Sequence, residues 1–380
     1  MDFLKKFWEN PLLKKLIIGT GIFLLIIIFL MMFASCSSKG RVYSYDEIEK
    51  ILIQKTKAAY GKSSNLPSLN QKIDISIEEL VNKGLVKTMS EYTQDETTSC
   101  SAKVTIYNNN GYYLYEPNIN CGEKYKTRTL QDTLIKDSLV ESGNGLYKVD
   151  NEYVFKGDNV NNYIKLNDVL YRIISINSDG SVRLMENKKN SEDSMTSWDD
   201  RYNTDRQYNS GINNYSANGL DSRIKDKIHS IYESDIYSDD VKAYFINKES
   251  CVGKRSETEL ENTGIYECAV KSEPYPISAL ALYEYLRASL DPNCTGIENS
   301  SCTNYNYFTS ITNSFWTLTA DKDTSFRAYK ITGGTIIKTD ASNPAYLLIL
   351  ININGNTVIN SEGNGSVDNP YVINMGKQNN

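Results

Sequence analysis

The run Tyr153 to Met185, YVFKGDNVNNYIKLNDVLYRIISINSDGSVRLM, reads as a β-meander. Tyr153 to Asn159 opens it, and Tyr163 to Leu166, Val169 to Ile176 and Ser181 to Glu186 follow as β-rich runs. Asn167-Asp168 and Asn177-Ser178-Asp179-Gly180 divide these runs. Such residues reverse a chain because Asn, Asp and Gly accept the positive φ of tight turns. Three or four strands are predicted here, and they make the C-terminal half β-rich.

Toward the C-terminus, residues 187 to 270 are polar and mixed, with one predicted helix from Leu220 to Tyr232. A second short helix, Leu280 to Arg287, presents Leu282 and Leu286 on one side. Strands return at Phe315 to Thr319, Arg327 to Ile331, Thr335 to Ile337 and Tyr346 to Ile353, with Gly333-Gly334 turning a hairpin between two of them.

Toward the N-terminus, Leu130 to Gly145 is a polar crossover whose end, Ser142-Gly143-Asn144-Gly145, marks a boundary. Before it, Lys103 to Tyr107 and Tyr112 to Tyr115 form a hairpin about Asn108-Asn109-Asn110-Gly111. Two helices precede the hairpin. Tyr45 to Tyr60 carries Ile48, Leu52 and Ala59 on one stripe, with Ser44 and Glu47 as a capping box. A second helix begins at Ser76-Ile77-Glu78-Glu79, a further capping box, and runs through Leu80, Val81 and Leu85. Lys62 to Asn70 links the two.

Leu16 to Phe33, LIIGTGIFLLIIIFLMMF, is eighteen residues without a charge. As a helix rising about 1.5 Å per residue it would span roughly 27 Å, enough to cross a bilayer core. Lys5, Lys6, Lys14 and Lys15 precede it against Asp2 and Glu9, which favours a cytoplasmic N-terminus and an extracytoplasmic remainder. Phe33-Ala34-Ser35-Cys36 also looks like a bacterial lipobox. Two anchors therefore stay open, an uncleaved membrane helix or a lipid on Cys36.

Six of the seven cysteines lie well beyond Cys36. Fifteen connectivities are possible among six, and the local pairs are preferred: Cys100 with Cys121, Cys251 with Cys268, and Cys294 with Cys302, closing loops of 21, 17 and 8 residues. Three disulfides suit an oxidising compartment. A zinc site is disfavoured, because no CxxC is present and His229 is the only histidine; no metal or other cofactor is expected.

Two stretches resemble known families. Residues 45 to 128, through ISIEELVNKGLVK and VTIYNNNGYYLYEPNINC, look like the pilin-like ectodomains of membrane-anchored Firmicutes surface proteins. The chain lacks the Gly-Phe-Thr-Leu-x-Glu processing site of prepilins. The meander, the later FWTLTA and AYKITGGTII, and the closing GNGSVDNPYVI resemble a domain of unknown function common in gut Firmicutes surface proteins. That domain is distantly similar to the C-type-lectin-like fold of the formylglycine-generating enzymes. The resemblance implies a fold and no activity.

Together these readings predict an α+β protein. It comprises a basic segment 1–15, a transmembrane or signal segment 16–35, a linker 36–44, a pilin-like α+β module 45–141 and a larger β-rich, C-type-lectin-like domain 146–380. The net charge of −6 argues against nucleic acid as a partner. No Gly-x-Ser-x-Gly elbow accompanies His229, and the pairs Asp199/Asp200, Asp239/Asp240 and Asp321/Asp323 are ordinary for acidic loops. The favoured function is a non-catalytic, surface-anchored binding or assembly protein whose ligand is a glycan or an envelope protein. The alternative is an envelope enzyme acting on cell-wall glycan or peptidoglycan. Aromatic rings in polar loops are the binding candidates: Trp198, Tyr202 and Tyr305, with Asp199 and Asn203 as polar neighbours, in an insertion running from about Asn187 to Ser314.

Overall fold

The computed structural model describes residues 41–62, 64–187, 195–217, 219–297 and 301–376. The apolar run Leu16 to Phe33 and Cys36 lie outside the described residues.

The chain enters with helix α1 (Tyr45–Tyr60). Its capping box is formed as predicted, the Ser44 hydroxyl accepting from the Glu47 amide and the Glu47 carboxylate accepting from the Ser44 amide. The buried stripe is Ile48, Leu52, Ile53, Thr56 and Tyr60, whereas Ala59 faces solvent. Strand β1 (Lys72–Ser76) follows, unforeseen because KIDIS was too short to show alternation, and Ser76 then caps α2 (Ile77–Asn82). After α3 (Met89–Thr93) come β2 (Ser101–Asn109) and β3 (Tyr112–Asn120). The three strands pair antiparallel in the order β1-β2-β3. Asn110 and Gly111 take φ of 54° and 92°, the left-handed values of the hairpin turn predicted for Asn-Gly. Cys100 and Cys121 are joined just past the open end of this hairpin. A separate core of Ile48, Leu52, Leu80, Val104 and Ile106 fills the space between α1 and the sheet.

Helix α4 (Leu130–Ser138) already belongs to the larger part, since Leu130 and Leu134 sit in its core. Then come β4 (Gly145–Val149), β5 (Glu152–Lys156), β6 (Tyr163–Leu166), β7 (Val169–Ile176) and β8 (Val182–Glu186), the meander read from the sequence. The middle of the chain supplies β9 (Met195–Ser197), the small hairpin β10 (Ser216–Ala217) and β11 (Leu220–Asp221), helices α5 (Arg223–Glu233) and α6 (Asp239–Lys242), and β12 (Lys254–Arg255). It ends with β13 (Ile277–Ala279) and α7 (Leu282–Arg287). The last strands are β14 (Phe315–Asp321), β15 (Arg327–Thr332), β16 (Thr335–Asp340), β17 (Pro344–Tyr346), β18 (Ile349–Ile353) and β19 (Tyr371–Val372).

Apart from the β10–β11 hairpin, these strands form two sheets. An eight-stranded sheet has the order β13-β18-β8-β7-β5-β4, with β6 on β7 and β19 on β6. A six-stranded sheet has the order β16-β15-β14-β17-β9, with β12 alongside β14. Both contribute to one core, in which Ile173, Leu184 and Ile351 of the first meet Trp316, Leu318 and Tyr329 of the second. The sequence run Tyr346 to Ile353, expected as one strand, is split so that β17 and β18 serve different sheets. The residues between them, Leu347 and Leu348, are buried at the crossing.

The α+β class expected from the sequence is therefore corrected: among the described residues the protein is mostly β-sheet, with 20% helical. Among the described residues, the α-helices other than α1 and α5 have nine residues or fewer. Helices that short persist only where a sheet or loop holds one face, so they do not form a layer of their own. Among the described residues, no helix is long and apolar enough to cross a membrane.

The three disulfides are those preferred from spacing, Cys100–Cys121, Cys251–Cys268 and Cys294–Cys302. In the chain-entropy picture the 17-residue separation of Cys251 and Cys268 contributes about 3 kcal/mol. Replacing both by Ser is expected to lower the unfolding free energy by about that amount in a denaturant titration. A loss under about 1 kcal/mol would mean that the loop stays ordered without its clip.

Candidate binding site

The residues singled out as a binding face are not brought together. Trp198 is completely buried, and its indole Nε1 donates to the Thr317 carbonyl at 3.0 Å. The expectation of an exposed ring is corrected here. β9 carries Trp198 into the core, where its carbonyl accepts from the Ile224 amide at the start of α5. Asp199 is buried too, accepting from the Arg201 amide and Nε, each at 3.0 Å. Asn203 builds a turn: its Nδ2 donates to the Gly211 carbonyl at 2.7 Å, and its Oδ1 accepts from the amides of Asp205 and Arg206. Only Tyr202, 54% exposed, and Tyr305, 53% exposed, keep their rings at the surface, on separate loops. Tyr307 and Phe308, just past Tyr305 in the chain, stack on each other inside the core at 4.5 Å.

The loose acids and the histidine are also accounted for. Asp200 pairs with Arg223 at 2.8 Å, and Asp240 pairs with Lys57 at 2.5 Å. Asp321 accepts from Tyr329 at 3.1 Å and from Thr324 at 2.8 Å. His229 lies stacked on Tyr275 at 4.0 Å, with burial lowering its pKa. Among the described residues no cluster of three or more His, Cys, Asp or Glu is placed to hold a metal ion.

A polar cleft of about 450 Å³ lies elsewhere on the larger part. One wall is a ribbon in which Lys248 pairs with Tyr275 and Cys251 with Lys271, tied by the Cys251–Cys268 bond. Facing it is the β7–β8 turn, Asn177 to Asp179. The floor is made by Ala279, Ala281 and Leu318, with Tyr283 as its aromatic side chain. This is part of the insertion named from the sequence, combined with scaffold residues on β5, β8 and β18.

Charge in the cleft is organised in pairs. Arg183 on β8 forks onto Glu284, with Nε to Oε1 at 2.5 Å and Nη2 to Oε2 at 3.2 Å. Glu284 also accepts from the Ala281 amide at 2.8 Å, which caps α7. Arg287 reaches Glu152 at 2.8 Å and lies over the Tyr283 ring at 4.9 Å. At the rim, Lys271 meets Glu249 at 3.0 Å and Lys248 meets Asp179. Burial pushes the Tyr283 phenol up to about 12, so it stays a neutral hydrogen-bonding group at physiological pH.

Sequence reading missed Arg183 and Glu284, because each sits in a run that scans as an ordinary strand or helix. Alternation gave no signal, since it sets Arg183 on the face opposite Val182 and Leu184; only the burial of both faces of this strand makes a buried partner necessary for the cation.

Comparison with family models, with curated proteins and with solved structures finds no match to this chain.

Proposed function

We propose that the protein is a non-catalytic binding or assembly component held at the outer face of the cell membrane, taking a glycan or an envelope protein in the 450 Å³ cleft. One observation carries the reading. All four acidic residues that line the cleft, Glu152, Asp179, Glu249 and Glu284, are closed by Arg287, Lys248, Lys271 and Arg183. A hydrolytic dyad needs one carboxyl free to carry a proton and another free to attack or to activate water. Paired charges, amides of Asn177, Asn247 and Asn352, and one ring instead offer fixed donors and acceptors to a neutral polar ligand. The attachment follows from the sequence: the Leu16 to Phe33 run, or a lipid on Cys36, would hold the chain at the membrane.

The test is an array of glycans and envelope proteins probed with full-length protein. Tyr283→Ala is expected to weaken the ligand found by about tenfold, the effect of losing one central ring. Tyr202→Ala and Tyr305→Ala are expected to leave it unchanged. Retained affinity in folded Tyr283→Ala, with loss in either loop variant, would move the site away from the cleft.

A further inference from the structure

A second cleft of about 280 Å³ adjoins the same ribbon, lined by Asn213 to Ser216, Lys225, Val252 to Lys254 and Val270 to Glu273. β12 forms its inner wall. Gly253 allows this, since a Cβ there would lie within 2.7 Å of the Tyr266 and Glu267 carbonyls. Arg255 then points inward to Glu267 at 2.9 Å, and by strand alternation Lys254 points the other way, into the cleft.

The Lys254 ammonium has a prepared but incomplete setting. Its Nζ donates to Asn213 Oδ1 at 2.6 Å. Asn213 is itself buried, and its Nδ2 is fixed by the carbonyls of Asp321 at 2.8 Å, Thr324 at 2.7 Å and Arg327 at 2.7 Å. An ammonium has three protons to donate, and a neutral amide takes one. Lys225 and Lys271, the other cations of the lining, already hold Asp221 at 2.7 Å and Glu249 at 3.0 Å. Glu273 is the one carboxylate of the lining, against three lysines. Burial lowers the basicity of Lys254, with Asp321 drawing it back up, and an anion in the cleft would raise it further.

We propose that this second cleft is an anion site, in which Lys254 receives the carboxylate or sulfate of an acidic saccharide while Asn214, Ser216 and Ser272 meet its hydroxyls. The saccharide part rests on the binding function proposed above; the anion part does not. Because Lys271 lines both clefts, a chain of sugars lying across the ribbon would place an acidic unit here and a neutral unit against Tyr283.

The experiment titrates full-length protein with trigalacturonate, with a sulfated dextran oligomer and with the neutral dextran oligomer, and follows acetylation of Lys254 by mass spectrometry with and without each. Sodium sulfate alone is a fourth arm. At least one acidic probe is expected to bind tenfold more tightly than the neutral one, to slow Lys254 acetylation and to weaken with added salt. Lys254→Met is expected to abolish that preference and Lys254→Arg to retain most of it. If Lys254→Met does not fold, protection in the unsubstituted protein decides. Protection by sulfate without binding of any oligomer supports the anion site and removes the saccharide reading. Equal binding of acidic and neutral probes, or Lys254 acetylated at one rate in every arm, overturns the proposal.

Discussion

Full-length protein is expected to be more stable at pH 5 than at pH 8 by roughly 6 kcal/mol, with Glu49→Gln removing somewhat less than half of that difference and the double variant Glu49→Gln/Glu116→Gln most of it. Glu49 lies on α1 with no exposed surface, where α1 meets the C-terminal segment of the larger part. Its carboxyl accepts from Thr127 at 2.6 Å, Tyr125 at 2.9 Å and Asn374 at 3.3 Å, all neutral donors. Glu116 on β3 faces the same segment and accepts from the Val358 amide at 3.1 Å. Desolvation raises Glu49 to about 7 and Glu116 to about 8, and each carboxylate also repels the other. Asp46 adds a further negative charge near Glu49, and Arg128, the nearby cation, is directed to the Asn360 and Ser361 carbonyls.

The sign follows from these raised values. Below the ordinary Glu value near 4.5 both states are protonated and the contact is unpenalised. As pH rises to about 7 the separated or unfolded state ionises first, so the packed state loses ground by about 1.4 kcal/mol per pH unit for Glu49 alone. Above that the Glu49 share is complete, while the Glu116 share grows until about pH 8. Asp74, Asp95 and Asp291 are shifted the opposite way by hydrogen bonds, and they destabilise only below about pH 4. A thermal or denaturant series between pH 5 and 8 reads the two carboxyls together, Glu49→Gln separates their shares, and exchange of the Val358 amide reports the Glu116 side of the contact. A midpoint that is level across the range, or rises with pH, would mean that the two carboxyls are solvated and paired in solution.

Local chemistry made the strands legible and left their assembly hidden. Asn110-Gly111 and Gly333-Gly334 turn where the sequence places hairpins, with positive φ at all four residues, because short-range sterics decide such turns. The disulfides were legible for a similar reason, since each closes a loop near in sequence. What could not be read is pairing between strands far apart: β8 joins β18 across more than 160 residues, and β9 joins β17. The division of Leu130 to Ser138 was hidden as well. Its two leucines gave no indication of which core they enter, and the structure places both in the larger one. The cleft depended on the same long-range pairings, because Arg183, Glu284 and Lys248 meet only when β8, α7 and the ribbon are assembled.

Trp198→Ala is expected to lower the unfolding free energy by about 3 to 5 kcal/mol, the range for deleting a large aromatic from a packed core. The sequence places this residue in TSWDD, a polar setting that suggested a loop ring, yet polarity of neighbours says little about a side chain on a short edge strand. β9 pairs with β17 through Thr196 and Ala345, and just beyond it the Trp198 ring enters the core that contains Trp316, Leu318 and Ile224. Trp198→Phe separates the two contributions of the indole. It keeps most of the apolar contact and leaves the Thr317 carbonyl without its donor, an expected cost of about 1 to 2 kcal/mol. Tyr202→Ala, four residues along and half exposed, is expected to change stability by less than about 0.5 kcal/mol. A denaturant titration of the three variants orders them Trp198→Ala, Trp198→Phe, Tyr202→Ala. If Trp198→Ala unfolds like the unsubstituted protein, the indole is not a core residue and the surface reading of this ring returns; if the order holds, any loss of ligand binding in Trp198→Ala reports a loosened scaffold and not a lost contact.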